Sequence, residues 1–210
     1  MSRLGGYSYA YCSFSEKEYS KHIKLEDQWK KEKDELIRHD LEEQLFESGV
    51  KTILFAALSV EAGINDYAGW QLGDSYFDKH LSSLNVLSKW VVIPKLVCGN
   101  SIDKSGPAYS ALKKLIRARN NLAHNKSRNL NLGEPHLADK LEKRTNDFNE
   151  NIHNAYRTIV LLSLTMDKVV GYRYNRLKSF DEKISLTLKI PNNLKCVVNE
   201  CKRVISRIDA

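Results

Sequence analysis

The stretch that decides the fold reads ILFAALSVEAGIND and covers residues 53–66. Its apolar residues leave little polar face at helical spacing, and a helix that is apolar nearly all round is buried on several sides. We therefore predict a central buried helix from about Val50 to Gly69 or Leu72. Glu61 lies inside this helix. Because a buried carboxylate is costly unless it is paired, Glu61 needs a partner or a function.

Helical patterns continue on both sides of this stretch. A long, strongly charged helix with a thin apolar stripe is predicted from Ser15 to about Phe46, and Gly49 is expected to end it. Further along, Pro107 opens a helix at its first turn, where proline is tolerated. That helix is expected to end near Asn125. The period of the apolar residues therefore predicts an all-α bundle with a long charged N-terminal helix.

The connecting and closing segments complete this bundle. Residues 73–80 read as a short helix, and residues 84–97 as a helix that Pro94 interrupts. A long closing helix is predicted over residues 134–170, with Gly171 as its stop signal.

We predict three regions along the chain. Residues 1–14 are rich in Tyr, Ser and Gly and read as an N-terminal arm. We expect this arm to dock on another surface, which fits it better than stacking of its tyrosines on bases. Residues 15–170 form the helical domain. Residues 171–210 form a C-terminal extension with a short strand over residues 184–190 and a final amphipathic helix.

Composition narrows the class of protein. The 210 residues suit one domain, and the formal charge of +7 favours polyanions such as nucleic acid. A protein of this charge that binds no nucleic acid fits about equally well. The longest apolar run, residues 53–58, is too short to span a bilayer. Four scattered cysteines and an N-terminus without the apolar run of a signal peptide predict a cytoplasmic location.

The segment most suggestive of chemistry is RNNLAH, residues 119–124. Asn120 and His124 are four residues apart and share a helix face. Arg119 lies roughly 140° around the helix axis from His124. One copy of a regular helix therefore does not aim Arg119 and His124 at one point. A distorted helix end or a second copy of the chain is needed to bring them together.

These residue types suit RNA cleavage without a metal. Histidine titrates near neutrality and can move protons to or from a 2′-hydroxyl or a leaving 5′-oxygen. Arginine binds phosphate and can stabilise the charge of the transition state, and Asn120 can orient the sugar or phosphate. For an arbitrary motif of this spacing, a solvated helix end with His124 near the C-terminal dipole is the better explanation.

The order of helices and the motif together resemble the HEPN superfamily over about residues 45–170. Residues 119–124 match the R-N-x-x-x-H form of its motif. The resemblance implies an antiparallel helical bundle that pairs through the motif helix into a homodimer. It also implies a metal-independent endoribonuclease, often a toxin or a phage-defence effector, with Arg119 and His124 as catalytic residues and Asn120 as an auxiliary residue. The alternative is an inactive HEPN module that binds nucleic acid or a partner protein.

Other residues extend the predicted site. Glu61 could hold Arg119 in position, although a carboxylate that reaches solvent fits about equally well, and Asn65, one turn on, suits a structural polar contact. Basic residues flank the motif and fit an RNA backbone or a solvated face: Lys113, Lys114, Arg117, Lys126 and Arg128. The chain has no metal-ligand spacing and no phosphate-binding glycine loop, so we expect no metal and no cofactor. An antitoxin or another regulatory protein is a further expected partner. HEPN toxins silenced by a nucleotidyltransferase usually carry a tyrosine shortly after the histidine, which residues 125–127 lack.

Overall fold

A computed structural model describes residues 6–124, 136–181 and 190–207, and every regular element in these ranges is a helix. The α-helices are α1 (Ser8–Trp29), α2 (Glu35–Leu72), α3 (Asp74–His80), α4 (Val86–Cys98), α5 (Pro107–Ala123), α6 (Leu137–Val170) and α7 (Lys195–Ser206). A single turn of 3-10 helix, Asn192–Leu194, precedes α7. The predicted all-α fold class is confirmed.

Helix α2 lies at the centre of the bundle and packs against α1, α4, α5 and α6. Its side chains Ile53, Val60 and Ile64 are fully buried. They belong to one core with Leu115 of α5 and Ile159 of α6. Burying one such side chain contributes about 1.5–3 kcal/mol. The stretch that reads as apolar nearly all round is therefore the part of α2 that is surrounded by other helices.

The N-terminal arm predicted over residues 1–14 does dock on the bundle, but from Ser8 onwards it is a helix rather than an irregular arm. Helix α1 begins at Ser8 and runs antiparallel to α2. The Ser8 hydroxyl donates to the Ser59 carbonyl at 3.1 Å, and the Ser59 hydroxyl donates to the Ser8 carbonyl at 2.9 Å. The buried face of these first turns carries Ser8, Cys12 and Ser15. Two serines and a cysteine take the place of the large apolar side chains whose spacing would have revealed a helix.

The predicted break between the first two long helices lies elsewhere. The chain turns before Asp34, whose carboxylate accepts hydrogen bonds from the N–H groups of Leu36 and Ile37 at 2.9 and 3.3 Å. Gly49 does not end a helix but lies inside α2, where a Cβ atom would collide with Ile152 of α6. Glycine at this position lets two long helices approach closely. The sequence predicted a helix end at Gly49 because glycine is common just after the last residue of a helix.

The shorter helices agree better with the sequence. Helix α3 covers the segment predicted for it, and α5 begins at Pro107 as expected. The interruption predicted at Pro94 is absent, because α4 continues through it to Cys98. Helix α6 ends at Gly171, which has a φ of 85° that favours glycine.

The C-terminal part of the chain packs back onto the bundle. After α6, Lys178 donates to both carboxylate oxygens of Glu16 at 2.9 and 2.8 Å. Helix α7 lies against α6 and buries Val198, Cys201 and Ile205. The strand predicted over residues 184–190 lies outside the described residues except for its last position. None of the helices in the described ranges has the length and apolar character needed to cross a membrane.

Candidate functional site

The Arg119 motif occupies the last turn of α5. The buried face of this helix includes Leu112, Leu115 and Ala118, and this face fixes the direction in which the following residues point. The helix ends at Ala123. His124 caps it with φ −113° and ψ 24°, outside helical geometry, while its backbone N–H still bonds to the carbonyl of residue 120 at 2.9 Å. The motif therefore ends at a helix terminus rather than inside a regular helix.

Arg119 faces Glu61 of α2. The Nη2 atom of Arg119 lies 3.6 Å from the Oε2 atom of Glu61, and about a third of each side chain is exposed. A charge-assisted hydrogen bond is about 2.7–2.9 Å long, so the two groups attract each other without a close, bidentate contact. Glu61 therefore both faces Arg119 and reaches solvent, so each of the two alternatives predicted for it holds in part. The role of these two residues in a reaction stays a prediction.

Asn65 lies one turn after Glu61 on α2 and contacts a residue that the sequence did not single out. Its Oδ1 atom accepts a hydrogen bond from Nζ of Lys89 at 3.0 Å. Lys89 belongs to α4, is 4% exposed, and lies with its Nζ atom 5.2 Å from the centre of the Phe77 ring. Burial lowers the pKa of Lys89, and the Glu61 carboxylate raises it. Glu61, Asn65, Lys89 and Arg119 thus form one polar cluster where α2, α4 and α5 meet.

A signal for Lys89 does exist in the sequence. Its neighbours on the buried face of α4 are Val86, three residues before it, and Ile93, four residues after it. Lysine at a core position of an apolar helix is uncommon, since lysine is almost never fully buried unless it is paired. This placement marks Lys89 as a residue that requires a partner.

The other predicted site residues are exposed. Asn120 and His124 lie at the surface, and within the described part of the chain no side-chain contact joins His124 to Arg119. The structure therefore brings Arg119 together with Glu61 but does not bring Arg119 together with His124. Among the basic residues predicted to bind RNA, the exposed ones on α5 are Lys113, Lys114 and Arg117. Lys126 and Arg128 lie outside the described residues.

The two helices that supply Glu61 and Lys89 also carry exposed apolar side chains. Leu58 of α2 precedes Glu61 by three residues and is 43% exposed. On α4, Val92 and Leu96 follow Lys89 by three and seven residues and are also exposed. Residues at these spacings share a helix face. Exposed apolar residues therefore lie within two helical turns of Glu61 on α2 and of Lys89 on α4.

Two further findings complete the description of the site. In the ranges that the structure describes, no three or more His, Cys, Asp or Glu side chains are grouped so that they could hold a metal ion. The chain matches no protein-family model, and comparisons with curated proteins and with solved structures gave no match.

Proposed function

We propose that the chain is a metal-independent endoribonuclease of the HEPN type, whose active site forms between two copies. The observation that carries this proposal is the position of Arg119 at an exposed helix end, loosely paired with Glu61 and close in sequence to an exposed His124. A guanidinium held this way keeps donors for a phosphate. We propose that the protein acts in the cytoplasm. As a toxin or an antiviral effector, it would cut RNA of the host cell or of a phage.

The chemistry follows from the three residue types. The 2′-oxygen of the RNA bonds to phosphorus, the bond from phosphorus to the 5′-oxygen breaks, and one proton passes from the 2′-hydroxyl to the leaving oxygen. His124 moves that proton as general base or general acid. Arg119 stabilises the negative charge that builds up on the phosphate oxygens, and Asn120 orients the sugar or phosphate. The products are a cyclic phosphate and a 5′-hydroxyl.

A second copy supplies what one chain lacks. Within one chain Arg119 and His124 lie five residues apart, and no hydrogen bond or ion pair joins their side chains in the described residues. Leu58, Val92 and Leu96 are exposed apolar residues on the two helices that pack beside α5, and we propose that they belong to the surface through which two copies pair. Pairing through this surface places two copies of Arg119 and two of His124 around one cleft. The homodimer is thus part of the proposed active site, and an antitoxin or other regulatory protein is the proposed partner that controls it.

RNA cleavage in the presence of EDTA tests this function. We expect the wild-type protein to cut single-stranded RNA, and His124→Ala and Arg119→Ala each to lower the rate by about 100-fold or more. His39→Ala and Arg173→Ala change an exposed histidine and an exposed arginine away from the site, so they should cut at the wild-type rate. Cleavage that survives both site substitutions would assign the activity to other residues.

A second function is favoured by the exposed Lys113, Lys114 and Arg117 on α5. Such residues can bind phosphates without any reaction, and the chain would then be an inactive HEPN module that binds nucleic acid. In the same assay this module would bind RNA and leave it uncut. Substituting the three basic residues together would weaken its binding, whereas His124→Ala would leave the binding unchanged.

A further inference from the structure

Lys89 occupies a position where packing alone would favour an apolar side chain. It is 4% exposed and lies on the face of α4 that buries Trp90 and Ile93. Moving an ammonium group out of water costs several kcal/mol unless other groups compensate for it. A lysine retained in such a place has electrostatic partners that stabilise its charge.

The partners of Lys89 connect it to Arg119. Its Nζ atom donates to Oδ1 of Asn65 at 3.0 Å and lies over the Phe77 ring. Asn65 follows Glu61 by four residues, so the two side chains are neighbours on one face of α2. The Glu61 carboxylate raises the pKa of Lys89 against the lowering that burial causes. Glu61 thus faces Arg119 at 3.6 Å and lies one helical turn from the side chain that binds Lys89.

In this cluster the Glu61 carboxylate lies 3.6 Å from one cation, Arg119, and one turn of α2 from the side chain that binds a second cation, Lys89. A carboxylate that interacts with two positive charges holds each of them less firmly than it would hold one alone. An ammonium group can only donate hydrogen bonds, so Lys89 takes the oxygen of Asn65 and leaves both Nδ2 hydrogens for other acceptors. The cluster consequently carries one excess positive charge and several unused donors, which suits an anion.

We propose that Lys89 is a positioning residue of the Arg119 site, acting through Glu61 and Asn65 to keep the Arg119 guanidinium free to bind an RNA phosphate. The phosphate as ligand rests on the proposed function. The effect of Lys89 on the freedom of Arg119 does not depend on it. Two readouts therefore separate the inference about Lys89 from the proposed function.

The first readout is the rotation of the Arg119 guanidinium, followed by NMR of 15N-labelled arginine. Lys89→Met removes the charge and keeps the length of the side chain. Glu61 should then hold Arg119 more firmly, and the rotation should slow by about threefold to fivefold, the range of a partly exposed ion pair. Lys89→Gln, which keeps a hydrogen-bonding group, should slow the rotation similarly if the methionine variant folds poorly. Lys95→Met, on the exposed side of α4, should leave it unchanged.

Removing the Glu61 charge provides the decisive comparison. In a Glu61→Gln background, Lys89→Met should no longer slow the rotation, because the group through which Lys89 acts is gone. In Lys89→Arg, which retains the charge, the Arg119 guanidinium should rotate at the wild-type rate. Unchanged rotation in both neutral Lys89 variants would overturn the inference. Slowing that persists in the Glu61→Gln background would overturn it as well.

The second readout is affinity for a 2′-O-methyl RNA oligonucleotide, which binds but cannot be cut. We expect Lys89→Met to weaken the binding of this oligonucleotide by about threefold to fivefold. Lys95→Met should weaken the binding less, as the loss of a lysine away from the Arg119 site would. An equal loss in the two lysine variants would overturn the positioning role. If the wild-type protein binds no RNA, the proposed function fails, and the NMR result alone decides whether Lys89 governs Arg119.

Discussion

Two carboxylate–cation pairs in this molecule have opposite character. Glu16 of α1 meets Lys178 with both carboxylate oxygens, at 2.9 and 2.8 Å, and also accepts a hydrogen bond from the Tyr156 hydroxyl at 3.0 Å. The Lys178 and Glu16 side chains are 16% and 9% exposed. Glu61 and Arg119, by contrast, are 3.6 Å apart and are 36% and 32% exposed.

The difference separates a structural pair from a candidate site. The Glu16 pair has its oxygens occupied by partners from two distant parts of the chain, so it fixes the segment after α6 to α1. The Arg119 pair leaves donors and solvent access, and a substrate can compete for its guanidinium. Ion pairs that are closed and buried are costly to break, whereas exposed pairs contribute little to stability. The two regions should therefore respond differently to the same kind of substitution.

The largest expected effect is on the closed pair. Lys178→Met leaves the Glu16 carboxylate buried without its cation, and removing one partner of a buried pair costs about 3–5 kcal/mol. Urea unfolding should show a loss of this size in the free energy of unfolding. Lys51→Met removes a solvent-accessible lysine that pairs with Glu47 on the same helix, so it should leave the free energy of unfolding close to the wild-type value. Similar losses in the two variants would mean that the closed pair is not a structural anchor.

A smaller effect concerns acid stability in the closed region. His22 is buried between α1 and α2, where its Nδ1 atom lies 3.1 Å from the Ser48 hydroxyl. Burial lowers its pKa below 6.5, His153 lowers it further, and the Leu45 carbonyl and Glu26 oppose this. The unfolded chain therefore binds the proton at a higher pH than the folded chain does. The stability that His22 contributes is complete above about pH 6.5 and is lost as the pH falls through the folded pKa.

The check is the free energy of unfolding measured from pH 7.5 to pH 5. It should decrease less steeply with acid in His22→Gln than in the wild type, by at most about 1.4 kcal/mol per pH unit. His39→Gln, at an exposed position, should follow the wild-type profile. A wild-type slope in His22→Gln would show that His22 keeps an ordinary pKa in the fold.

The smallest effect on stability is expected at the candidate site. Arg119→Ala removes an open, partly exposed pair, so it should change the free energy of unfolding by less than about 1 kcal/mol. Urea unfolding of this variant, beside Lys178→Met, compares the two regions directly. A loss as large as that of Lys178→Met would identify Arg119 as a structural residue and remove the basis for its proposed role.

The same contrast explains what the sequence could predict. The helix that starts at Pro107 and the end at Gly171 carry local signals, because proline and glycine constrain their own backbone. The need of Glu61 for a partner also followed from the apolar character of α2. The helix end predicted at Gly49 was wrong, because this glycine leaves space for the Ile152 side chain of another helix. A close approach between helices far apart in sequence leaves no local pattern.

The first turns of α1 and the position of Lys89 were missed for related reasons. The face of α1 that packs on α2 uses Ser8 and Cys12, which carry no apolar period. Lys89 stands at a core position of α4, but its partner Asn65 belongs to another helix. The partners of such residues are recognised only when the packing of the helices is known. The convergence of Arg119 with His124 that we propose involves a second copy of the chain, which the sequence of one chain does not reveal.

A subunit-mixing experiment tests that convergence most directly. Arg119→Ala and His124→Ala proteins are assayed for RNA cleavage in EDTA, first separately and then after refolding together so that subunits exchange. Mixed dimers carry one Arg119 and one His124 in the shared cleft, so the mixture should cut RNA clearly faster than either variant alone. A mixture as inactive as its two components, beside an active wild-type protein, would contradict an active site shared between two copies.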